Sequence, residues 1–584
     1  MDTPLTRKLL AHLRVIYPEA DNGPLVEQLI ATMALDPASQ APPTHRNLWN
    51  QNDVLLITYG NSVVDEGEKP LVTLNKLLTN ELDDCLSAVH ILPFFPYSSD
   101  DGFSVIDYVS VNESLGDWGH VSTIAKRKHL MADLVINHMS SRSAWFENFK
   151  RRRDPGKDYF KEASLEDDLS QVVRPRSSPL LTPVQTDDGE RMVWCTFSPD
   201  QVDLDFGNPQ VLVEFVRIIH FYLEQGVRIF RLDAVAYLWK VPGTSCIHLQ
   251  QTHEVVKLMR TLIEHGYPNA VIITETNVPN RENLTYFGNA NEAHVIYNFS
   301  LPPLLVHCLL SGSCRHLKTW AMSMPPAQNG TAYLNFIASH DGIGLRPAED
   351  LLSEEELAEF IGTISRSGGM VSYRRKGDED KPYELNVSLW DALKDTVDGG
   401  KSHQQLARFL CAHTIMLGLE GIPAFYIHSL FATENDTQKV ALTSRNRSIN
   451  RHTWSLEALR TALSNGSHHQ QAYEALRHLI QTRRAQPAFH PNATQFTLHL
   501  GLEVFGFWRQ SLDRSQSIFA IHNVSSEVQQ VALSTINLVS TDLWFDLITG
   551  RHFNDPHAEL TLQPYECLWL SNRNFCGQEA PLED

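Results

Sequence analysis

From residue 54 onward the chain alternates between short, near-continuous apolar runs and longer stretches with helical periodicity. The apolar runs are VLLITYG (54–60), SAVHILPF (87–94), MADLVINH (131–138), VRIFRLDAV (227–235), AVIITET (270–276), HVIYNF (294–299), LNFIASHD (334–341) and IPAFYI (422–427). Runs without polar alternation are what strands buried on both faces require, as in a parallel sheet. Between them lie amphipathic segments such as VLVEFVRIIHFYLEQG (211–226) and HEVVKLMRTLIEHG (253–266). Eight such strands with intervening helices predict an α/β fold, a (β/α)8 TIM barrel.

The intervals are uneven. Residues 139–206 separate the third strand from the fourth, and 345–410 the seventh from the eighth. Both are too long for simple loops, and long insertions after barrel strands build the mouth of an active site. The barrel then comprises 47–138, 207–344 and 411–490. Residues 1–46 read as one or two helices and a loop, which would cap the barrel or mediate dimerisation, so monomer and homodimer both stay open. Residues 491–584 show short alternating runs (FTLHL, EVFGFWR, SIFAIHNV, CLWLS) and read as a small antiparallel β domain.

Composition narrows the function classes. Of 584 residues, 42% are hydrophobic and 20% charged, as in a soluble globular chain and unlike a disordered one. No apolar run approaches the roughly 18 residues of a membrane helix. A net charge of −20 argues against non-specific nucleic-acid binding and means that an anionic ligand needs a local basic pocket. The eight cysteines form no CxxC pair and read as buried reduced thiols. The N-terminus lacks a long apolar core of the secretory type, so the expected location is cytoplasmic. No cluster calls for a metal or an organic cofactor, and the expected partners are small molecules.

Polar residues recur at the predicted C-terminal strand ends, which face the active site of a barrel. The third strand ends in Asp133-Leu-Val-Ile-Asn137-His138, the fourth carries Arg231-Leu-Asp233, the fifth ends in Thr274-Glu275-Thr-Asn277 and the seventh in His340-Asp341. Carboxylates with histidines and an arginine suit glycosidic chemistry: one carboxylate stabilises an oxocarbenium-like transition state while a second carboxyl protonates the leaving oxygen. In this order the four segments resemble the motif regions of the α-amylase superfamily (glycoside hydrolase family 13), over about residues 50–570. The resemblance implies that Asp233 is the nucleophile, Glu275 the general acid/base and Asp341 the transition-state stabiliser. His138 and His340 match glucose contacts. Arg231, two residues before Asp233, shares its side of the strand and is expected to keep it ionised.

Within the superfamily the chain is most similar to the sucrose phosphorylase group. The carriers are Ile-Thr-Tyr59, His90-Ile-Leu-Pro-Phe, Asp101-Gly-Phe103, Phe197-Ser-Pro-Asp-Gln201, His340-Asp-Gly-Ile-Gly and Arg447-Ser-Ile-Asn-Arg451. This implies glucosyl contacts at Tyr59, Asn61, Asp101, Phe103, Phe197, Gln201 and Arg447. A phosphorylase must admit phosphate beside carboxylates, which calls for arginine. Arg174-Pro-Arg176 in the first insertion resembles the group's phosphate motif, and Tyr383-Glu-Leu-Asn386 in the second its phosphate and acceptor loop. Arg374-Arg375-Lys376 reads either as an anion-attracting run or as a solvated face.

Two positions depart from sucrose phosphorylases. Asn277 stands where they carry histidine, and Asn61 where an aspartate contacts glucose. With Lys240-Val-Pro-Gly-Thr-Ser-Cys246 and Arg-Pro-Arg-Ser-Ser-Pro-Leu-Leu, the chain looks instead like the glucosylglycerate phosphorylases. That resemblance implies phosphorolysis of 2-O-α-glucosylglycerate to glucose 1-phosphate and glycerate. Glucosylglycerol, sucrose and sucrose 6-phosphate remain alternative substrates, and an α-glucosidase or transglucosidase is a further one.

Overall fold

The computed structural model describes residues 2–576 except 177, 377–378, 537, 540–541, 554 and 556; the last residues of the predicted β domain lie outside it. Eight parallel strands close into a barrel in sequential order: β1 (Leu55–Thr58), β2 (Ala88–Ile91), β3 (His129–Leu134), β4 (Val227–Leu232), β5 (Val271–Thr274), β6 (Val295–Tyr297), β7 (Ala332–Asn335) and β8 (Ile422–Tyr426). β8 returns to β1 with Leu56 opposite Phe425, so the sheet has no edge. Residues of β1, β2, β5, β6 and β7 are buried throughout, which is why their sequences carry no polar alternation.

The strands are shorter than the apolar runs that predict them. β3 ends at Leu134 rather than His138, and His138–Ser140 pairs antiparallel with Gln201–Asp203 of the first insertion. β7 ends at Asn335, so His340 and Asp341 sit in the loop beyond it. Apolar residues such as Ile136 and Ile337 stay fully buried after the chain has left the barrel ladder, and a local pattern cannot separate the two situations.

The first insertion also holds a hairpin, Leu181–Thr186 with Gly189–Trp194. In the second, Ile343–Gly344, Glu379–Asn386 and Met370–Lys376 form a three-stranded antiparallel sheet, with helix Glu354–Arg366 between its first two segments in the chain. Near the N-terminus, helices Pro4–Ile16 and Gly23–Thr32 pack on barrel helices Gln250–Gly266 and Pro209–Glu224. After the barrel, a six-stranded antiparallel sheet from Thr494 to Ser571 carries a second apolar core around Ile521, Leu560 and Leu568. Six cysteines are buried, Cys567 is half-buried and Cys576 is exposed, so the expectation of buried thiols does not extend to Cys576.

Candidate active site

The C-terminal barrel ends bring the predicted carboxyls together. Asp233 follows β4 directly, and Glu275 follows β5 directly. The chain turns sharply after Asp233, with Ala234 in the left-handed region at φ 50°. That turn aims the Ala234 amide at Glu275, donating to Oε2 at 2.9 Å. Arg231 Nη1 lies 2.6 Å from Asp233 Oδ1 and 2.5 Å from Asp133 Oδ1, while its Nη2 is 3.9 Å from Glu275 Oε2. Asp133 is held in turn by His90 Nε2 at 2.7 Å, both fully buried. One guanidinium thus serves three carboxyls.

The charges settle differently at each acid. Burial pushes Glu275 up to about 7, against Arg231 and with Asp233 adding to the rise. Its Oε2 accepts from a backbone amide, so the proton belongs on Oε1. Burial also raises Asp233, while Arg231 pulls it back down. Asp133 competes for the same cation and adds its own negative charge. At Asp341 burial acts upward too, but Arg447, His340 and Arg451 outweigh it and hold the carboxyl well below the usual range. Arg447 Nη1 is 2.6 Å from Asp341 Oδ1. Burial lowers His340 to about 3, so it is a neutral ring near pH 7, stacked on Phe103 at 5.1 Å.

One cleft is lined by Asp233, Glu275, Asp341, Phe103, His138, Phe197, Gln201, Arg231, Asn277, His340, Arg447, Arg176 and Tyr383. His138 Nε2 donates to the Phe103 carbonyl at 2.9 Å, which fixes its tautomer beside Gln201 Nε2 at 3.2 Å. The Arg176 guanidinium lies over the Phe197 ring, 5.7 Å from its centroid. Tyr59, Asn61 and Asp101 line an adjoining cavity instead. Asn61 is exposed there, and Asp101 is tied to Arg451 and to Arg445 (3.1 Å).

Two expected phosphate contacts do not reach the cleft lining. Arg174 donates to the carbonyls of Thr196 (3.3 and 3.1 Å), Cys195 (3.1 Å) and Ser178, so its donors staple the insertion loop. Asn386 is fully buried and donates to Ser372 Oγ at 2.8 Å. Arg374 is paired with Glu349 at 2.9 Å, while the side chains of Arg375 and Lys376 lie outside the described residues.

Three acids escaped the sequence reading as site residues. Asp133 was visible within its motif, but its hold on Arg231 was not. Asp100 lines the cleft where Asp101 was expected, because both adopt left-handed backbone (φ 53° and 48°) and their side chains part. Glu384 receives Arg447 Nε and Nη2 at 3.0 and 2.7 Å; it comes from the second insertion, so no local signal marks it. Among the described residues one group has metal-ligand spacing, Glu434 with His468 and His469, and it lies outside the cleft lining.

Residues 84–342 match the model of the alpha-amylase catalytic domain. A glucosylglycerate phosphorylase of Allomeiothermus silvanus is 40% identical over 97% of this chain and 98% of its own. One of Escherichia coli is 40% identical over 89% of this chain and 92% of its own. The crystal structure of a sucrose 6F-phosphate phosphorylase from Thermoanaerobacter thermosaccharolyticum superposes with a TM-score of 0.71 at 25% identity, covering 82% of this chain and 96% of that one. No described helix is long and apolar enough to cross a membrane. Identity at this level over nearly the full length of both chains means that the protein belongs to the glycoside phosphorylases of the alpha-amylase family, in the branch of the glucosylglycerate phosphorylases.

Proposed function

We propose that the protein cleaves 2-O-α-D-glucopyranosyl-D-glycerate with inorganic phosphate, giving α-D-glucose 1-phosphate and D-glycerate with retention. The observation that carries this reading is Glu275 held near neutrality beside Asp233, in a cleft that also presents Arg176. Asp233 attacks the anomeric carbon while protonated Glu275 gives its Oε1 proton to the glycerate oxygen. Glycerate leaves and a covalent glucosyl-enzyme remains. Phosphate then enters, Glu275 takes its proton, and the phosphate oxygen displaces Asp233 from the opposite face. Asp341, His138, His340, Phe197, Gln201 and Arg447 hold the glucosyl unit. Tyr59, Asn61 and Asp101 back that subsite from the adjoining cavity, with Asn386 and Arg174 shaping the two insertion loops.

Arg176 is the cleft's candidate phosphate ligand: a bidentate cation offsets the cost of a dianion near carboxylates. The test is an acceptor screen with glucose 1-phosphate and D-glycerate, L-glycerate, glycerol, fructose or fructose 6-phosphate, following phosphate release. Fast release with D-glycerate alone is expected. Preference for glycerol or a fructose species would move the substrate, and a rate equal to the water blank would reject the phosphorylase reading. Arg176→Ala is expected to cost phosphorolysis about 10–100-fold more than hydrolysis, the worth of one charge-assisted contact. Equal losses would remove Arg176 from phosphate handling.

A further inference from the structure

We infer that Arg346 binds the carboxylate of the acceptor and selects an anionic acceptor over a neutral one. The inference rests on the proposed reaction and adds to it the group that reads the acceptor's charge. The segment Ile343–Gly344 pairs antiparallel with the second insertion, Gly344 opposite Glu384, and the Leu345 amide donates to the Tyr383 carbonyl at 3.0 Å. Arg346 follows directly, at the start of a short 3-10 turn. The chain runs past the acid/base side of the cleft here: a Cβ on Gly344 would stand 2.9 Å from Asn277 Nδ2. Only a residue without a side chain leaves Asn277 its place.

Arg346 is half-buried, and its guanidinium has no hydrogen-bond or ion-pair partner among the described residues. Other described arginines without such a partner, such as Arg281 and Arg315, are exposed, whereas Arg346 is half-buried. Its charge is felt at the Tyr237 hydroxyl, which is also within the field of Tyr383, Glu275 and Arg176. Tyr237 itself packs edge-on against Phe197 at 5.6 Å, and its hydroxyl makes no hydrogen bond among the described residues. Arg346 does not itself line the cleft; the close approach of Gly344 to Asn277 sets it two residues beyond the acid/base side, from which its long side chain would reach a leaving group held by Glu275.

Chemistry selects the ligand. In a 2-O-linked glycerate the carboxylate carbon is bonded to the carbon that carries the glycosidic oxygen, the atom Glu275 protonates. The carboxylate is thus forced close to Glu275 and, when Glu275 is ionised, against it. A cation on the far side offsets that repulsion, and a fork of two N–H donors fits a carboxylate. The remaining primary hydroxyl of glycerate has a matching acceptor: Asn277 Oδ1 is buried without a partner among the described residues. Glycerol would satisfy Asn277 and leave Arg346 unpaired.

The test uses the full-length protein with glucose 1-phosphate as donor. The measured quantity is the partition of the glucosyl-enzyme between D-glycerate and water, from the ratio of glucosylglycerate to glucose formed. This ratio does not depend on how much of a variant is folded. Arg346→Ala is expected to lower the partition to D-glycerate about 100-fold, the worth of a charge-assisted bidentate contact, and Arg346→Lys to restore about a tenth or more of it. The partition to glycerol should fall far less. An unchanged ratio for D-glycerate in Arg346→Ala overturns the inference. So does an equal fall for D-glycerate and for inorganic phosphate, which would make Arg346 a general anion contact. If the unsubstituted protein forms no glucosylglycerate at all, the proposed reaction itself falls, and the inference with it.

Discussion

Arg231 divides one positive charge between Asp133 and Asp233, and this division sets the protonation chemistry of the cleft. Because Arg231 is not reserved for Asp233, burial dominates at both catalytic carboxyls, and Glu275 reaches about 7. The sign of the pH dependence follows. The first displacement needs Glu275 protonated, so kcat/KM for glucosylglycerate should fall as pH rises through about 7, nearing tenfold per unit above it. A donor whose leaving group needs no proton, such as α-glucosyl fluoride, should lack that limb; the same limb with both donors would place the titration elsewhere. Stability runs in the same direction: the raised pKa of Glu275 contributes fully below the unfolded carboxyl's pKa and is lost as pH climbs through about 7. Asp233→Asn is expected to reduce glucosyl transfer to every acceptor by at least ~10⁴-fold, as loss of a nucleophile does. A near-normal rate in that variant would assign the nucleophile to another residue.

At the scale of elements, the site depends on two insertions folding back over the barrel. The clearest contact is the antiparallel pair Ile343–Gly344 with Glu384–Leu385, which carries Glu384 to Arg447 and so braces Asp341. Gly342 makes the approach possible: a Cβ there would meet the Leu385 carbonyl at 2.5 Å and Glu384 Cγ at 2.6 Å. The first of these neighbours is backbone and cannot rotate away. Gly342→Ala is therefore expected to push the hairpin off Asp341, lowering kcat about 10–100-fold and costing about 1–3 kcal/mol by overpacking. Steady-state rates with thermal unfolding check this; full activity at unchanged stability would show that the hairpin moves without disturbing Asp341. The same elements mark the limit of what the sequence reveals. Arg231, Asp233 and Glu275 were legible because a strand and its end are local features. Glu384 was not, since its partner Arg447 lies 63 residues away. Arg174 and Asn386 carried the right motif, yet their donors are spent on Thr196, Cys195 and Ser372. Whether a polar group faces solvent, ligand or its own backbone is decided by contacts that no motif encodes.

For the molecule as a whole, the barrel was legible because burial on both faces writes itself into each strand separately. The role of residues 1–46 was not, since an amphipathic helix says only that one face is covered. The structure supplies the cover. Leu5, Leu9 and Leu13 are completely buried at spacings of four, and Ile16 nearly so. The helix that carries them packs on Gln250–Gly266, where His12 Nδ1 meets Glu254 Oε1 at 2.6 Å. Tyr17 donates to the Phe206 carbonyl at 2.8 Å, anchoring the end of the same helix at the close of the first insertion. With the packing of Gly23–Thr32 on Pro209–Glu224, these contacts brace the helices that precede β4 and β5, the two strands that deliver Asp233 and Glu275. None of the bracing side chains lines the cleft. Leu9→Ala should therefore separate stability from chemistry. A fully buried leucine truncated to alanine costs about 2–5 kcal/mol, the removed contacts plus the cavity left behind. The expected result is a clear fall in melting temperature, with kcat and KM unchanged well below it. Loss of kcat at those temperatures would mean that the N-terminal helices set the positions of the catalytic carboxyls, and that the barrel cannot hold its active geometry without them.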